Sequence, residues 1–239
     1  MAILDHSDRP TFLRASVLLI GLAWTVPLLQ PYHRFPLTAF YSEWLAFALG
    51  LAAATPLLAR EPWGDAKMPF IAIAPLGLAV VLALQVALDR VPYAEQALTG
   101  GLYLLWAALM ALLGHALARR LTLDSIATTL AWFLLVGGIF HAVTGLVQHY
   151  DVSTPFNFLV AHKGGVFVHG NLGQRNHYAA CVTLALASAA YLYGSGRLKG
   201  ALAAGCAALF LAVLALTGSR SPWLYLVALT ALALLLHHR

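Results

Sequence analysis

The sequence predicts an all-α, polytopic transmembrane helical bundle of about eight spans, and three observations carry that prediction. Hydrophobic residues make up 61% of the chain and charged residues 10%, with a mean hydropathy of +0.80. That composition lies outside the range of soluble globular domains. Apolar runs recur along the whole length, each close to the roughly 20 residues that cross a bilayer as a helix. The 14 lysines and arginines fall in the short stretches between those runs rather than in one block. Orientation signals explain such a pattern better than a basic, solvated nucleic-acid face does, so nucleic acid is excluded as a partner. A single integral-membrane helical domain over residues 1–239 is expected.

The first predicted span, 15–31, follows a short polar stretch holding Arg9 and Arg14. A signal peptide is the competing reading, but no A-x-A-like cleavage site follows and further apolar runs come at once, so a retained helix is expected. The second span is 43–59. The third, 69–88, begins at Pro69, which a first turn tolerates because its missing N–H would be unpaired there anyway. The fourth covers 97–118. The fifth, 125–149, carries Gly137, Gly138 and Gly145, small residues that let helices approach closely. His141 and Gln148, seven apart, share one of its faces, and His149 lies at its end. A loop over 150–175 follows, then spans at 176–193, 201–217 and 222–236. Cys181 and Cys206 both sit inside apolar runs and read as small buried hydrophobes.

Alternate loops differ in charge. The N-terminus, 60–68, 119–124, 194–200 and the C-terminal tail together hold nine lysines and arginines; 32–42, 89–96, 150–175 and 218–221 hold five. The richer side is expected to face the cytoplasm. Both termini then lie inside, and the loop 150–175 lies outside, on the periplasmic face if the cell has two membranes.

Against the apolar background, residues 162–180, HKGGVFVHGNLGQRNHYAA, form the most polar stretch in the chain. Asn171 followed three residues later by Gln174 fits a capping box, in which the two side chains satisfy free amides of a helix's first turn. Thr217-Gly218-Ser219-Arg220-Ser221-Pro222 carries a second start signal, with Ser221 as N-cap and Pro222 at the first helical position. Under the expected topology both helices open on the outer face, each beside an arginine, Arg175 and Arg220. Free backbone amides and the positive end of a helix dipole attract anions. Arginine's planar fork suits phosphate oxygens, and burial does not neutralise it as it does lysine. The blander reading has both arginines reaching lipid headgroups and fixing helix depth. Gln174, His177 and Cys181 share a helix face, with Gln174 and His177 at its outer end, where a histidine can donate to an oxyanion or act as a base near neutral pH.

Several chemistries are missing. The sequence holds no P-loop, dinucleotide fingerprint, G-x-S-x-G or H-E-x-x-H. His162, His169 and His177 have no metal-ligand spacing, and no pair of carboxylates suited to glycoside hydrolysis or proton-coupled transport is evident. No metal and no cofactor is called for. A polyprenyl-phosphate transporter or flippase is the rival reading from another class, but the inverted repeats and broken helices of carriers are not found. An inactive membrane fragment is the third reading.

The stretch GNLGQRNHYA, followed about 40 residues later by TGSRS at the head of a span, resembles the bacterial O-antigen ligase and O-oligosaccharyltransferase superfamily. It is most similar to the pilin-type protein O-oligosaccharyltransferases, whose members carry a G-N-x-x-Q-x-N-H-x-A-like motif entering a mid-chain span. The resemblance covers about 130–225; the first four spans match only in general character. It implies transfer of a glycan from undecaprenyl pyrophosphate to a hydroxyl, on a protein such as pilin or, in the ligases and polymerases, on lipid A-core or a glycan. Transfer inverts the anomeric carbon and needs no metal. On this likeness Arg175 and Arg220 hold the pyrophosphate, Gln174, Asn176 and His177 orient the donor, and Lys163 is a weaker addition. Family members run well beyond this length and use an essential histidine in a later periplasmic loop. The resemblance therefore implies the N-terminal portion of a larger membrane glycosyltransferase, with that histidine beyond Arg239 and no catalytic residue assigned in the present chain.

Overall fold

A computed structural model describes residues 9–33, 39–55 and 68–237. Among these residues the regular structure is all helical: α1 (Arg9–Leu29), α2 (Phe40–Ala54), α3 (Phe70–Ala87), α4 (Ala94–Arg120), α5 (Leu123–Tyr150), α6 (Arg175–Gly194), α7 (Gly200–Leu216) and α8 (Ser221–His237). Each helix lies on a predicted span. The largest shift is at α1, which starts at Arg9 instead of 15, because an apolar run marks the part of a helix that must leave water and not its first turn. Residues 56–59 of the second predicted span lie outside the described residues. So do Arg34, Arg60, Lys67 and Arg239, which carry part of the charge asymmetry.

Four of these helices are long and apolar enough to cross a membrane: α1 from Phe12 onward, α3, α4 and α5. The other four are shorter or more polar. α2 has 15 residues and α7 has 17, which at 1.5 Å per residue is about 22 and 26 Å against a hydrocarbon thickness of about 30 Å. α6 has 20 residues but opens on Arg175, Asn176 and His177.

The chain divides into two compact units. The first comprises residues 1–20 and 47–126. In it α3 and α4 form a helical hairpin, and α2 packs on α4 where the Trp106 ring fills the space a side chain at Gly50 would need. Phe47 stacks on the same indole at 4.6 Å.

The second unit comprises residues 21–46 and 127–239. Its core is small and tightly fitted. Ala142, Tyr178, Ala179, Val182, Ala185, Phe210 and Val213 are among its fully buried side chains. The glycines of α5 permit this: Gly138 lies against Ala185, Gly137 against Thr25, and Gly145 against the Tyr178 hydroxyl. Packing through small residues is what helix association requires where apolar burial against lipid gives little drive. α6 turns into α7 through a Schellman motif. Gly196, at φ +72°, takes the left-handed position, Arg197 N–H donates to Leu192 O at 2.8 Å and Gly196 N–H to Tyr193 O at 2.9 Å. These bonds satisfy carbonyls that the last turn leaves free.

Candidate functional site

Helix ends gather at one end of the second unit, and two buried amide side chains hold them there. Gln148, in the last turn of α5, is 6% exposed. Its amide nitrogen donates to Ala161 O (2.7 Å) and Gly170 O (2.9 Å), and its oxygen accepts from the backbone N–H of His169 (3.3 Å) and Gly170 (2.9 Å). Asn171 is 1% exposed. Its amide nitrogen donates to Leu29 O at the end of α1 (2.6 Å) and to Leu159 O (2.7 Å), while its oxygen accepts from Ala161 N–H (2.9 Å). The Asn171 carbonyl in turn contacts His33 Nε2 at 2.6 Å. The loop after α5 is thus fastened to α1 and α5 by groups whose hydrogen-bonding capacity is almost filled, the condition for burying amides without penalty.

This arrangement corrects the capping-box expectation. Asn171 lies in a single 3-10 turn, Gly170–Leu172, and its side chain is fully engaged elsewhere. α6 begins at Arg175 with Gln174 at the N-cap in extended backbone and no side-chain cap. The first-turn amides that a capping box would fill are therefore not filled by Asn171. The second start signal shifts in a similar way. Ser221 is the first residue of α8, and Ser219 does the capping: its hydroxyl oxygen accepts from Ser221 N–H at 3.3 Å.

Ser219 also joins the two helix starts. Its hydroxyl donates to Asn176 Oδ1 in the first turn of α6 at 2.8 Å. Phe167 makes a second link. Its ring lies under the Arg175 guanidinium, 4.8 Å from Cζ to the ring centroid, and packs against Gly218, whose φ of +57° and lack of Cβ admit it. Val168 N–H reaches Leu216 O, at the end of α7, at 3.5 Å. The openings of α6 and α8 consequently stand side by side. Of the residues singled out from the sequence, Asn176 bonds Ser219 directly, Arg175 is linked to Gly218 only through Phe167, and Arg220 follows Ser219 in the chain. Gln174, Arg175, Asn176, His177 and Arg220 are all exposed, and Lys163 is half-buried in the loop.

The electrostatics of this end are one-sided. No Asp or Glu follows Asp151 anywhere in the sequence, whereas Lys163, Arg175 and Arg220 all do. The guanidinium on Phe167 is held by a cation–π contact, which leaves its N–H fork available. Exposed arginines beside helix N-termini are groups that an anion with several oxygens can use.

His141 belongs to the core and not to this end. It is 1% exposed, and neither ring nitrogen has a hydrogen-bond partner. Its carbonyl accepts from the Tyr178 hydroxyl at 2.8 Å and from Thr144 Oγ1 at 2.9 Å. Sequence reasoning missed the parts played by Gln148, Phe167, Ser219 and His33. A glutamine at the end of an apolar helix and a phenylalanine among glycines were the available signals. No protein-family model matches the chain, and neither a curated protein nor a solved structure matches it.

Proposed function

We propose that this chain is the donor-binding portion of a lipid-linked oligosaccharide transferase of the O-oligosaccharyltransferase kind. On this reading all eight helices cross a bacterial inner membrane, and the end carrying Arg175 and Arg220 opens on the periplasmic face. The donor is a glycan on undecaprenyl pyrophosphate and the acceptor a protein hydroxyl. The observation that carries the reading is the pairing of the α6 and α8 openings through Asn176 and Ser219, with an exposed arginine on each.

The chemistry follows from where charge develops. The acceptor oxygen attacks the anomeric carbon, the bond from that carbon to the pyrophosphate breaks with inversion, and the electron pair leaves on the pyrophosphate. The acceptor proton passes to a base to which no residue of this chain is assigned. Negative charge on the leaving oxygen grows through the transition state, so fixed guanidinium groups and helix amides aimed at it favour the transition state over bound donor. On this reading Gln174, Asn176 and His177 orient the donor near its first sugar, with N–H groups suited to its hydroxyls. Phe167 keeps the Arg175 side chain against the α8 start, so the fork is oriented before the ligand arrives.

The test is direct binding. Purified chain in nanodiscs is titrated with undecaprenyl pyrophosphate and, as control, with undecaprenol. Arg175→Ala and Arg220→Ala should each weaken pyrophosphate binding about 10- to 100-fold, the worth of a charge-assisted hydrogen bond at about 1.5–3 kcal/mol, and leave undecaprenol unchanged. Wild-type affinity in both variants would remove the assignment.

A further inference from the structure

The loop after α5 carries a second surface, separate from the arginines. From Val152 to Ala161 the sequence is VSTPFNFLVA, without a charge. Phe156 and Phe158 are 64% and 63% exposed, and Tyr150 just before them is also exposed. The two phenylalanine rings lie 6.5 Å apart and form one patch. Water gives no reason to keep such a patch, and exposed apolar clusters of this kind mark an interaction surface.

The backbone of the same segment is closed in on itself. Val152 N–H donates to Val147 O, Thr154 N–H to Asn157 Oδ1 and Phe156 N–H to Thr154 Oγ1. Asn157 N–H donates to Thr154 O, Leu159 N–H to Phe156 O and Val160 N–H to Asn157 O. Ala161 N–H is taken by Asn171. Pro155 has no N–H, so only Ser153 and Phe158 keep free amides. The carbonyls of Leu159 and Ala161 are covered by Asn171 and Gln148. Non-helical backbone is tolerated near lipid to the extent that its polar groups are paired within the protein, and in this loop every N–H but those of Ser153 and Phe158 is paired.

The patch also continues a surface of α5. Trp132, Val136, Ile139, Val143 and Tyr150 are exposed at spacings of three, four and seven, which puts them on one helix face. α5 is among the helices long and apolar enough to span a membrane, so its exposed apolar stripe is the face that lipid would cover, and the stripe reaches the loop at Tyr150. We infer that Val152–Ala161 is an interfacial membrane element, with Phe156 and Phe158 inserted into the boundary between headgroups and acyl chains, about 5–10 Å below the water surface. The occupant of the patch is the bilayer. The inference rests on the membrane-spanning reading of α5 and not on any assignment to Arg175 or Arg220.

Site-directed spin labelling tests it in the full chain, with Cys181→Ala and Cys206→Ala to remove native thiols, reconstituted into vesicles of equal parts phosphatidylethanolamine and phosphatidylglycerol. Single cysteines at Phe156, Phe158, Val136 and Gly164 are labelled, and accessibility to oxygen is compared with accessibility to a water-soluble nickel chelate. Gly164 has open space around it and serves as the aqueous reference. Labels at 156 and 158 should favour oxygen several-fold, as should the label at 136, whereas 164 should favour nickel. Nickel access at 156 and 158 with oxygen access at 136 would overturn the loop inference alone. Nickel access at 136 as well would overturn the spanning reading beneath it. Low access to both reagents at 156 and 158 would mean that protein covers the patch, and would equally overturn the inference.

Discussion

Asn171 separates two physical readings of this chain by sign. As an N-cap it would tolerate aspartate, which caps as well as asparagine. A carboxylate at a helix N-terminus would even gain about 0.3–1 kcal/mol from the helix dipole. In the structure the Asn171 amide nitrogen instead points at two carbonyl oxygens, Leu29 O at 2.6 Å and Leu159 O at 2.7 Å, at a site that is 1% exposed. Asn171→Asp replaces that nitrogen with a third oxygen among acceptors and buries an unpaired charge, for which about 3–5 kcal/mol of destabilisation is expected. The assay is unfolding of the full chain in mixed micelles, followed by helical circular dichroism. The loss should shrink on acidification, because a protonated carboxyl regains one donor. The sign is consistent: the buried variant carboxyl has a folded-state pKa above its unfolded value, so its stability is present at low pH and disappears as pH rises through the folded pKa. Unfolding at or above the wild-type denaturant midpoint near neutral pH would refute the hub and restore the cap.

Three further outcomes follow from the same geometry. Gly218→Ala and Gly196→Ala each impose a side chain on a left-handed residue, at φ +57° and +72°, and should each lose about 1–2 kcal/mol of stability. Only Gly218→Ala displaces Phe167, so only that variant should also weaken undecaprenyl pyrophosphate binding; equal affinities for the two would detach Phe167 from the site. His141→Phe removes two buried nitrogens that have no partner, and thermal unfolding should place it within about 1 kcal/mol of wild type or above it, since an unpaired buried polar group costs about that much or more. A loss of several kcal/mol would show that His141 makes a bond on which the fold depends. Arg175→Ala and Arg220→Ala should leave the melting temperature unchanged while reducing pyrophosphate affinity, because both side chains are exposed.

The helices were legible because membrane-length apolar runs and their polar ends are local features. Pro69 precedes α3 and Ser221-Pro222 opens α8, each readable within a few residues. The role of Asn171 was not legible for the opposite reason. Its amide donates to Leu29 O, 142 residues away in the chain, and the local pattern Asn-x-x-Gln offered a nearer and incorrect partner. Gln148 was readable as a polar residue sharing a face with His141, but the bonds that define it reach loop backbone 13 and 22 residues on. The Phe167 contact with Arg175 and Gly218 likewise depends on how α7 returns to the start of α6. The helices follow from the recurrence of apolar runs; the number of spans does not, because α2 and α7 are apolar yet short.

The polar residues at this end divide into two sets, and the division supports the site more strongly than either arginine alone. Gln148 and Asn171 are buried and bonded to backbone, and the buried Ser219 is bonded to Asn176 and to Ser221 N–H; their task is to let irregular chain exist beside apolar helices, where each unpaired amide would cost several kcal/mol. Arg175, His177 and Arg220 are exposed on a segment with no carboxylate after Asp151. The hydrogen bonds that hold the loop backbone at this end come from neutral side chains, and the one contact shown for a guanidinium is that of Arg175 on Phe167. Had the guanidinium groups been needed to hold the loop, they would be expected to donate to the carbonyls of Leu29, Leu159, Ala161 or Gly170, all of which are already filled by amides. The guanidinium groups thus stand on the surface beside two adjacent helix openings, with no carboxylate later in the chain, and the buried network does not depend on them.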